Sequence, residues 1–139
     1  MDSIYRTTAY STGGRNGKVS VDDGILSFEM SPPAEMGGTK PGVNPEQLFA
    51  ACFSACFGGA MHHVVRARKL HVPAPDVQVT IGLGRNAAGN NQLQADIVAI
   101  IQGVDQALAD ELVQEAHAIC PYSAATRGNI EVTVTAKIK

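Results

Sequence analysis

The chain has 139 residues, of which 45% are hydrophobic and 17% charged, and its formal net charge is -2 at pH 7. This length fits one domain with a sizeable core. Acidic and basic residues are interspersed, so the chain lacks the basic footprint of a nucleic-acid-binding protein or of one attracted to an anionic membrane. Residues 1–20 contain no apolar run of signal-peptide length, which predicts a soluble, cytoplasmic protein.

The N-terminal third predicts a small antiparallel meander followed by a loop. Strand-forming segments occur at residues 4–10, 18–21 and 25–30, and a glycine-rich turn cluster occupies residues 11–17. Residues 31–43 hold three of the seven prolines and three glycines, which is typical of a loop that crosses the surface.

The longest apolar segment predicts a central helix. Asn44 is a suitable N-cap, Pro45 suits the first helical position, and Glu46 places an acidic group in the first turn. The helix is expected to end near Leu70. It is apolar on nearly every side as far as Met61, which is typical of a helix buried in the middle of a core.

The second half predicts a hairpin, a second helix and a last strand. Residues 77–83 and 93–101 resemble strands joined by a Gly- and Asn-rich turn, and residues 130–138 alternate as a final strand. Asp105 can cap a helix that Pro121 stops just after Cys120. The apolar stripe predicted for this helix consists of Leu108, Leu112, Val113, Ala116 and Ile119. The fold class is therefore α+β.

Three cysteines, Cys52, Cys56 and Cys120, form an odd set without a CxxC pair, which argues against a disulfide scaffold or a zinc ribbon. Cys56 lies in the apolar helix and Cys120 precedes a proline. Together they suggest a thiol peroxidase, because peroxide reduction needs a thiolate that attacks the peroxide and a second thiol that captures the sulfenic acid. The alternative is that all three are small buried hydrophobic residues.

A thiol in apolar surroundings has a raised pKa and is inert unless a cation or a hydrogen-bond donor stabilises its thiolate. Arg15 is a candidate, since the glycines around it let the backbone bend and direct the guanidinium inward. Glu46, nearly three helical turns before Cys56, could accept a bidentate pair from Arg15. On spacing alone, Arg15 and Glu46 are more typical of solvated surface charges.

Four segments carry a resemblance to a known family. They are TGGRNG at residues 12–17, NPEQLFAA at 44–51, SACF at 54–57 and AHAICPYSAATRGNI at 116–130. In order and spacing they resemble the organic hydroperoxide resistance proteins (Ohr) of the osmotically inducible protein C (OsmC) superfamily, over nearly the whole chain. The CPYS and TRGN residues are the part most specific to this branch, and they disfavour the alternative of an OsmC-branch peroxidase with broader peroxide use.

The resemblance implies that Cys56 is the peroxidatic cysteine and Cys120 the resolving cysteine, with Arg15 and Glu46 activating the thiolate and positioning the peroxide. It implies a single domain over residues 1–139, with antiparallel sheets around a long central buried helix, in an intertwined homodimer whose active sites lie at the subunit boundary. It further implies a peroxiredoxin-like reductase of alkyl and lipid hydroperoxides that acts in oxidative stress defence. The expected reductant is dihydrolipoamide or a lipoylated protein, and no cofactor or metal is expected.

Two further expectations concern the surroundings of the thiols. Cys52 occupies a position where the family more usually has glycine, and we expect a buried bystander, because an i, i+4 helical pair is poorly placed for a disulfide; an alternative resolving thiol or a site of side oxidation is the other interpretation. Apolar neighbours are expected to favour organic hydroperoxides over hydrogen peroxide. These neighbours are Phe53, Phe57, Met36 and Leu48.

Two other classes of function stay open on residue types alone. One is a metal-binding module that uses His62, His63, His117 and Cys120. Against it, adjacent helical residues such as His62 and His63 diverge by about 100°, and His117 is expected to be a packed or hydrogen-bonded helix residue. The other is a binding module with redox-silent thiols.

Overall fold

The computed structural model describes all 139 residues and has the predicted α+β class, with two three-stranded sheets and three α-helices. Its contacts divide the chain into two compact units, Met1–Leu48 and Phe49–Lys139, which are described in turn. A single domain over residues 1–139 stays a prediction.

The first unit contains the predicted meander. Strands β1 (Ala9–Thr12), β2 (Lys18–Val21) and β3 (Ser27–Glu29) pair antiparallel in that order. Strand β1 begins later than predicted, at Ala9 rather than at residue 4. Two short 3-10 turns, Gly14–Asn16 and Ala34–Met36, occupy the predicted turn cluster and the predicted loop.

Helix α1 (Pro45–Ala67) begins as predicted. The Asn44 carboxamide oxygen accepts from the Gln47 backbone N–H at 2.8 Å, and the Gln47 carboxamide oxygen accepts from the Asn44 N–H at 2.9 Å. This reciprocal capping box satisfies two backbone donors that would otherwise lack a partner. The helix ends before Leu70, because Lys69 adopts a left-handed conformation with φ of 56°.

The second unit contains a mixed sheet of β4 (Asp76–Arg85), β5 (Asn91–Ile101) and β6 (Glu131–Ile138) in that order. The β4–β5 hairpin is antiparallel as predicted. The expectation of purely antiparallel sheets is wrong at the other edge, where β6 runs parallel to β5. A parallel neighbour needs a long crossover, and the helical segment between β5 and β6 supplies it.

Helix α2 (Gln106–Ile119) is capped by Asp105, whose carboxylate accepts from the Leu108 N–H at 2.8 Å. The predicted apolar stripe is correct in its middle but wrong at Ile119, which is 51% exposed. Pro121 does more than stop α2, since it is the first residue of a short helix, α3 (Pro121–Thr126), that the sequence prediction missed. Proline suits this position because it has no N–H to leave unpaired.

The core of the second unit lies where α1 and α2 meet the sheet. It includes Phe53, Phe57 and Met61 from α1, Ile97 and Ile101 from β5, and Leu112 and Val113 from α2. The predicted central helix is present, and in the single chain one face of it is exposed. That face includes Ala51, Cys52, Ala55, Gly59, His62 and His63. Helix α1 is also long and apolar enough to cross a membrane, a property that the core helix of a soluble protein can share.

Candidate functional site

The structure brings Cys56 and Cys120 together within the second unit. The Sγ atoms of Cys56 and Cys120 are 3.7 Å apart, within hydrogen-bonding distance for two thiols, although the residues are 64 positions apart in sequence. Both cysteines are free. A disulfide has an S–S distance of about 2.0 Å, so a modest local movement would suffice to join them.

Cys120 lies at the junction of α2 and α3 and is completely buried. Its backbone N–H donates to the Ala116 carbonyl at 2.9 Å, which closes α2, and its carbonyl accepts from the Ala124 N–H at 3.0 Å, which opens α3. Since both backbone groups are engaged, the position of this residue is fixed by two helices at once.

Cys56 is half-buried on α1 and packs against the core. Burial raises the pKa of its thiol above the ordinary value of 9.0, and the neighbouring Cys120 raises that pKa further. The backbone N–H of Tyr122, in the first turn of α3, opposes these effects and lowers the pKa. Within this unit the net direction is upward, so the thiolate needs additional stabilisation to be abundant at neutral pH.

Three aromatic rings pack around this part of α1. The Phe53 and Tyr122 ring centroids are 5.7 Å apart, those of Phe49 and Tyr122 6.3 Å, and those of Phe49 and Phe53 5.7 Å. Phe53 and Phe57 are fully buried in the core, so they support the site rather than line it for a substrate. Phe49 and Tyr122 are only partly buried and present apolar surface.

Arg15 and Glu46 are brought together within the first unit, and this pairing was a sequence expectation. The guanidinium donates two hydrogen bonds to the carboxylate, Nη1 to Oε2 at 2.8 Å and Nη2 to Oε1 at 2.7 Å. These hydrogen bonds raise the pKa of Arg15 and lower the pKa of Glu46, so both groups are held in their charged forms.

The turn that carries Arg15 requires glycine. Gly13 and Gly14 have φ angles of 76° and 55°, a left-handed conformation that favours glycine. A Cβ atom on Gly17 would lie 1.7 Å from the Thr12 carbonyl oxygen, which no side chain tolerates. The glycines therefore allow the chain to fold back tightly around Arg15, as the sequence suggested.

Cys52 differs from expectation, because it is exposed rather than buried. It lies on the face of α1 that is turned away from the core, together with Ala51 and Ala55. No three His, Cys, Asp or Glu side chains come together in a way that could hold a metal ion. The residues weighed for a metal module therefore do not form one cluster.

One polar pair near Cys120 was not singled out from the sequence. The His117 Nδ1 and Ser123 Oγ atoms are hydrogen-bonded at 2.9 Å, and Ser123 is completely buried. Burial and the nearby Arg127 lower the pKa of His117. His117 is thus a packed, hydrogen-bonded helix residue, as predicted. Its partner could not be foreseen, because Ser123 lies on the helix that the prediction missed.

The chain is similar to curated proteins over almost its whole length. It is 43% identical over 133 residues to the organic hydroperoxide resistance protein-like 2 of Staphylococcus epidermidis, covering 94% of each chain. It is 42% identical over 134 residues to the organic hydroperoxide resistance protein of Xanthomonas axonopodis pv. citri, covering 95% of this chain and 94% of the relative.

A solved structure and a family model match the chain as well. The crystal structure of an organic hydroperoxide resistance protein from Elizabethkingia anophelis matches with a TM-score of 0.91 and 41% identity, covering 100% of this chain and 99% of that one. Residues 37–135 match the family model described as OsmC-like protein. The chain therefore belongs to the OsmC-like family, among relatives that are named organic hydroperoxide resistance proteins.

Proposed function

We propose that this protein is a thiol-dependent peroxidase that reduces organic hydroperoxides to alcohols. The observation that carries the proposal is the contact between Cys56 and the fully buried Cys120, at 3.7 Å between the sulfur atoms. The names of the relatives, which refer to organic hydroperoxide resistance, support this substrate class. We further propose that the protein acts in oxidative stress defence in the cytoplasm.

In the first step the Cys56 thiolate attacks the terminal oxygen of the hydroperoxide. An S–O bond forms, the O–O bond breaks, and the alkoxide takes up a proton and leaves as the alcohol. In the second step the Cys120 sulfur attacks the Cys56 sulfenic acid. The S–S bond forms, the S–O bond breaks, and hydroxide leaves as water with the proton of the Cys120 thiol.

The oxidised protein must then be reduced, and we propose a dithiol of the dihydrolipoamide kind, free or carried on a lipoylated protein. Thiol–disulfide exchange through a mixed disulfide returns both cysteines to the thiol form. The cycle uses side chains only and calls for no cofactor.

We propose that the Arg15 guanidinium, oriented by Glu46, stabilises the Cys56 thiolate and polarises the peroxide. The support is chemical: burial raises the pKa of Cys56, so a cation is needed. A guanidinium held in a bidentate pair is an oriented donor. To test this, alkylation of Cys56 is followed against pH. The midpoint should be higher in Arg15→Gln than in wild type; equal midpoints would show that Arg15 does not act on the thiolate.

We also propose a homodimer, in which a second copy of the chain covers the exposed face of α1. Apolar and small residues on this face, such as Ala51, Ala55 and Gly59, are exposed in the single chain although they belong to its most apolar helix. Sedimentation should give the mass of two chains, and Ala55→Arg should shift the protein towards one chain. A monomeric wild type would contradict this part of the proposal.

The decisive experiment measures consumption of cumene hydroperoxide and hydrogen peroxide with dihydrolipoamide as reductant. Wild type should prefer the organic peroxide, and Cys56→Ser should lose turnover completely. Cys120→Ser should still form a sulfenic acid at Cys56 but no intramolecular disulfide. If folded wild type consumes neither peroxide with any dithiol, the proposed peroxidase activity is contradicted.

A further inference from the structure

The candidate site includes a hydrogen-bonded clasp over the junction between α2 and α3, where Cys120 lies. We define the clasp by three residues, His117, Ser123 and Arg127. His117 lies one helical turn before Cys120, on α2, and Ser123 lies one turn after it, on α3. The clasp therefore spans the residue that the proposed function treats as the resolving cysteine, and the inference drawn from it rests on that function.

The centre of the clasp is the hydrogen bond between the His117 Nδ1 and Ser123 Oγ atoms, at 2.9 Å. Ser123 is fully buried, so an unpaired hydroxyl there would be costly. This bond joins side chains of two different helices. It thereby restricts the angle between α2 and α3, and with it the position of Cys120 at their junction.

Arg127 adds a second connection across the same junction. Its guanidinium Nη2 donates to the His117 carbonyl at 2.8 Å, and its backbone N–H donates to the Ser123 carbonyl at 3.0 Å. The His117 carbonyl lies in the last turn of α2, where carbonyls lose their helical partners. Arg127 therefore satisfies a helix end and ties it to the helix that follows.

The clasp also reaches the helix that carries the other thiol. The rings of His117 and Phe57 have centroids 6.5 Å apart, and Phe57 is the residue next to Cys56 on α1. Since Phe57 is completely buried, it is a rigid surface for the imidazole. One side chain, His117, thus contacts the core beside Cys56 and holds the junction at Cys120.

We propose that His117 and Ser123 are positioning residues for the resolving step. They hold the Cys120 sulfur against Cys56, so that the sulfenic acid is captured as soon as it forms. In that step the S–S bond forms, the S–O bond of the sulfenic acid breaks, and water leaves with the Cys120 proton. The clasp takes no part in the bond changes and plays no role in the attack of Cys56 on the peroxide.

The test separates the two chemical steps. Reduced protein is mixed with one equivalent of cumene hydroperoxide without reductant, and dimedone-trapped sulfenic acid and intramolecular disulfide are measured against time by mass spectrometry. In Ser123→Ala and His117→Leu, disulfide formation should slow about fivefold, the effect of losing one hydrogen bond. Sulfenic acid should accumulate, while Cys56 oxidation should stay within about twofold of wild type.

Rescue and matched controls distinguish positioning from general destabilisation. His117→Asn places an amide where Nδ1 lies and should restore most of the disulfide rate, because the amide can pair with the Ser123 hydroxyl. The exposed His71, between α1 and β4, offers the matched control, and both His71→Leu and His71→Asn should match wild type. Should Ser123→Ala not fold, the exposed Arg127→Gln removes the bond to His117 and should slow disulfide formation about twofold.

The outcomes are decisive in either direction. Disulfide formation at the wild-type rate in Ser123→Ala and His117→Leu would overturn the inference. So would an equal slowing of both steps, because that would indicate a structural role only. Wild type in which Cys56 yields neither sulfenic acid nor disulfide would overturn the proposed function, and this inference with it. A cycling wild type with unaltered clasp variants would overturn this inference alone.

Discussion

Arg15 and Glu46, which are 31 positions apart in sequence, share two parallel hydrogen bonds of 2.8 Å and 2.7 Å. The Glu46 carboxylate is 16% exposed and the Arg15 side chain 40% exposed, so the pair is partly shielded from water. A guanidinium can make this two-pronged contact, and an ammonium cannot. A lysine at position 15 therefore tests whether the proposed role of Arg15 needs the paired geometry or only the positive charge.

Arg15→Lys keeps the charge and loses the paired geometry. If the proposed role of Arg15 is correct, the second-order rate of Cys56 oxidation by cumene hydroperoxide should fall more than about tenfold, as expected when one oriented charge-stabilising donor is lost. Stopped-flow measurement of the first turnover provides the rate. Arg68→Lys is the matched control, because Arg68 also pairs with carboxylates, those of Glu111 and Glu115, whose side chains are more exposed than that of Glu46. Equal loss in both variants would argue against a specific role for Arg15.

The Arg15–Glu46 pair predicts a change of stability with pH. The pKa of Glu46 is lowered from its ordinary value of 4.5, chiefly by the hydrogen bonds from Arg15. The stabilisation is therefore fully present above about pH 4.5 and is lost as the pH falls through the folded-state pKa. Urea unfolding should give wild type a larger free energy of unfolding than Glu46→Gln at pH 7, and this difference should become smaller in acid. A difference that grows in acid would contradict the predicted pH dependence.

The environment of Cys56 predicts how its pKa responds to its partner. Because the neighbouring Cys120 raises the pKa of Cys56, Cys120→Ala should move the pH midpoint of Cys56 alkylation downward. Iodoacetamide labelling followed by peptide mass spectrometry separates Cys56 from the exposed Cys52. An unchanged or higher midpoint in Cys120→Ala would mean that the two thiols do not interact in solution.

The cap of α2 predicts a moderate stability effect. Asp105→Ala removes the acceptor for the Leu108 N–H and should lower the free energy of unfolding by about 1 kcal/mol. Asp105→Ser keeps a capping oxygen and should recover most of this loss. Chemical denaturation of the two variants and wild type gives the comparison, and identical midpoints for all three would contradict the assigned cap.

Local signals explain why much of the fold was predictable. Asn44 and Asp105 are cap residues whose side chains accept backbone N–H groups three positions later, and both helices begin where these residues predict. Alternating hydrophobicity placed the β4–β5 hairpin correctly. These interactions join residues that are close in sequence or lie on consecutive strands, so local sequence patterns are enough to predict them.

The errors in the second unit have separate physical causes. Pro121 follows α2 and was read as its stop, yet proline is equally suited to the first position of a helix, here α3. The parallel pairing of β6 with β5 could have been inferred from the helix predicted between these strands, because a helical crossover is typical of parallel neighbours. Ile119 fits the periodic stripe but lies beyond the contact with the core.

For the site, the glycine turn and the position of Glu46 made a pair with Arg15 conceivable, but spacing alone favoured solvated charges, and it was the family resemblance that implied the pair. The contact of Cys56 with Cys120 came from the family resemblance, since spacing cannot show which distant residues meet. The exposure of Cys52 and the burial of Phe53 depend on how α1 is rotated against the core. An apolar run without a clear stripe does not encode that rotation.

The 64 positions between Cys56 and Cys120 have a consequence for folding as well as for chemistry. A covalent link that closes a loop of this length restricts the unfolded chain and should stabilise the oxidised protein by about 4 kcal/mol. Heating the two redox forms should reveal a higher melting temperature after oxidation. In the proposed cycle the protein would then alternate between a more stable, cross-linked form and a less stable form without the cross-link. Thermal unfolding would therefore report the fraction of molecules that are oxidised, without any label.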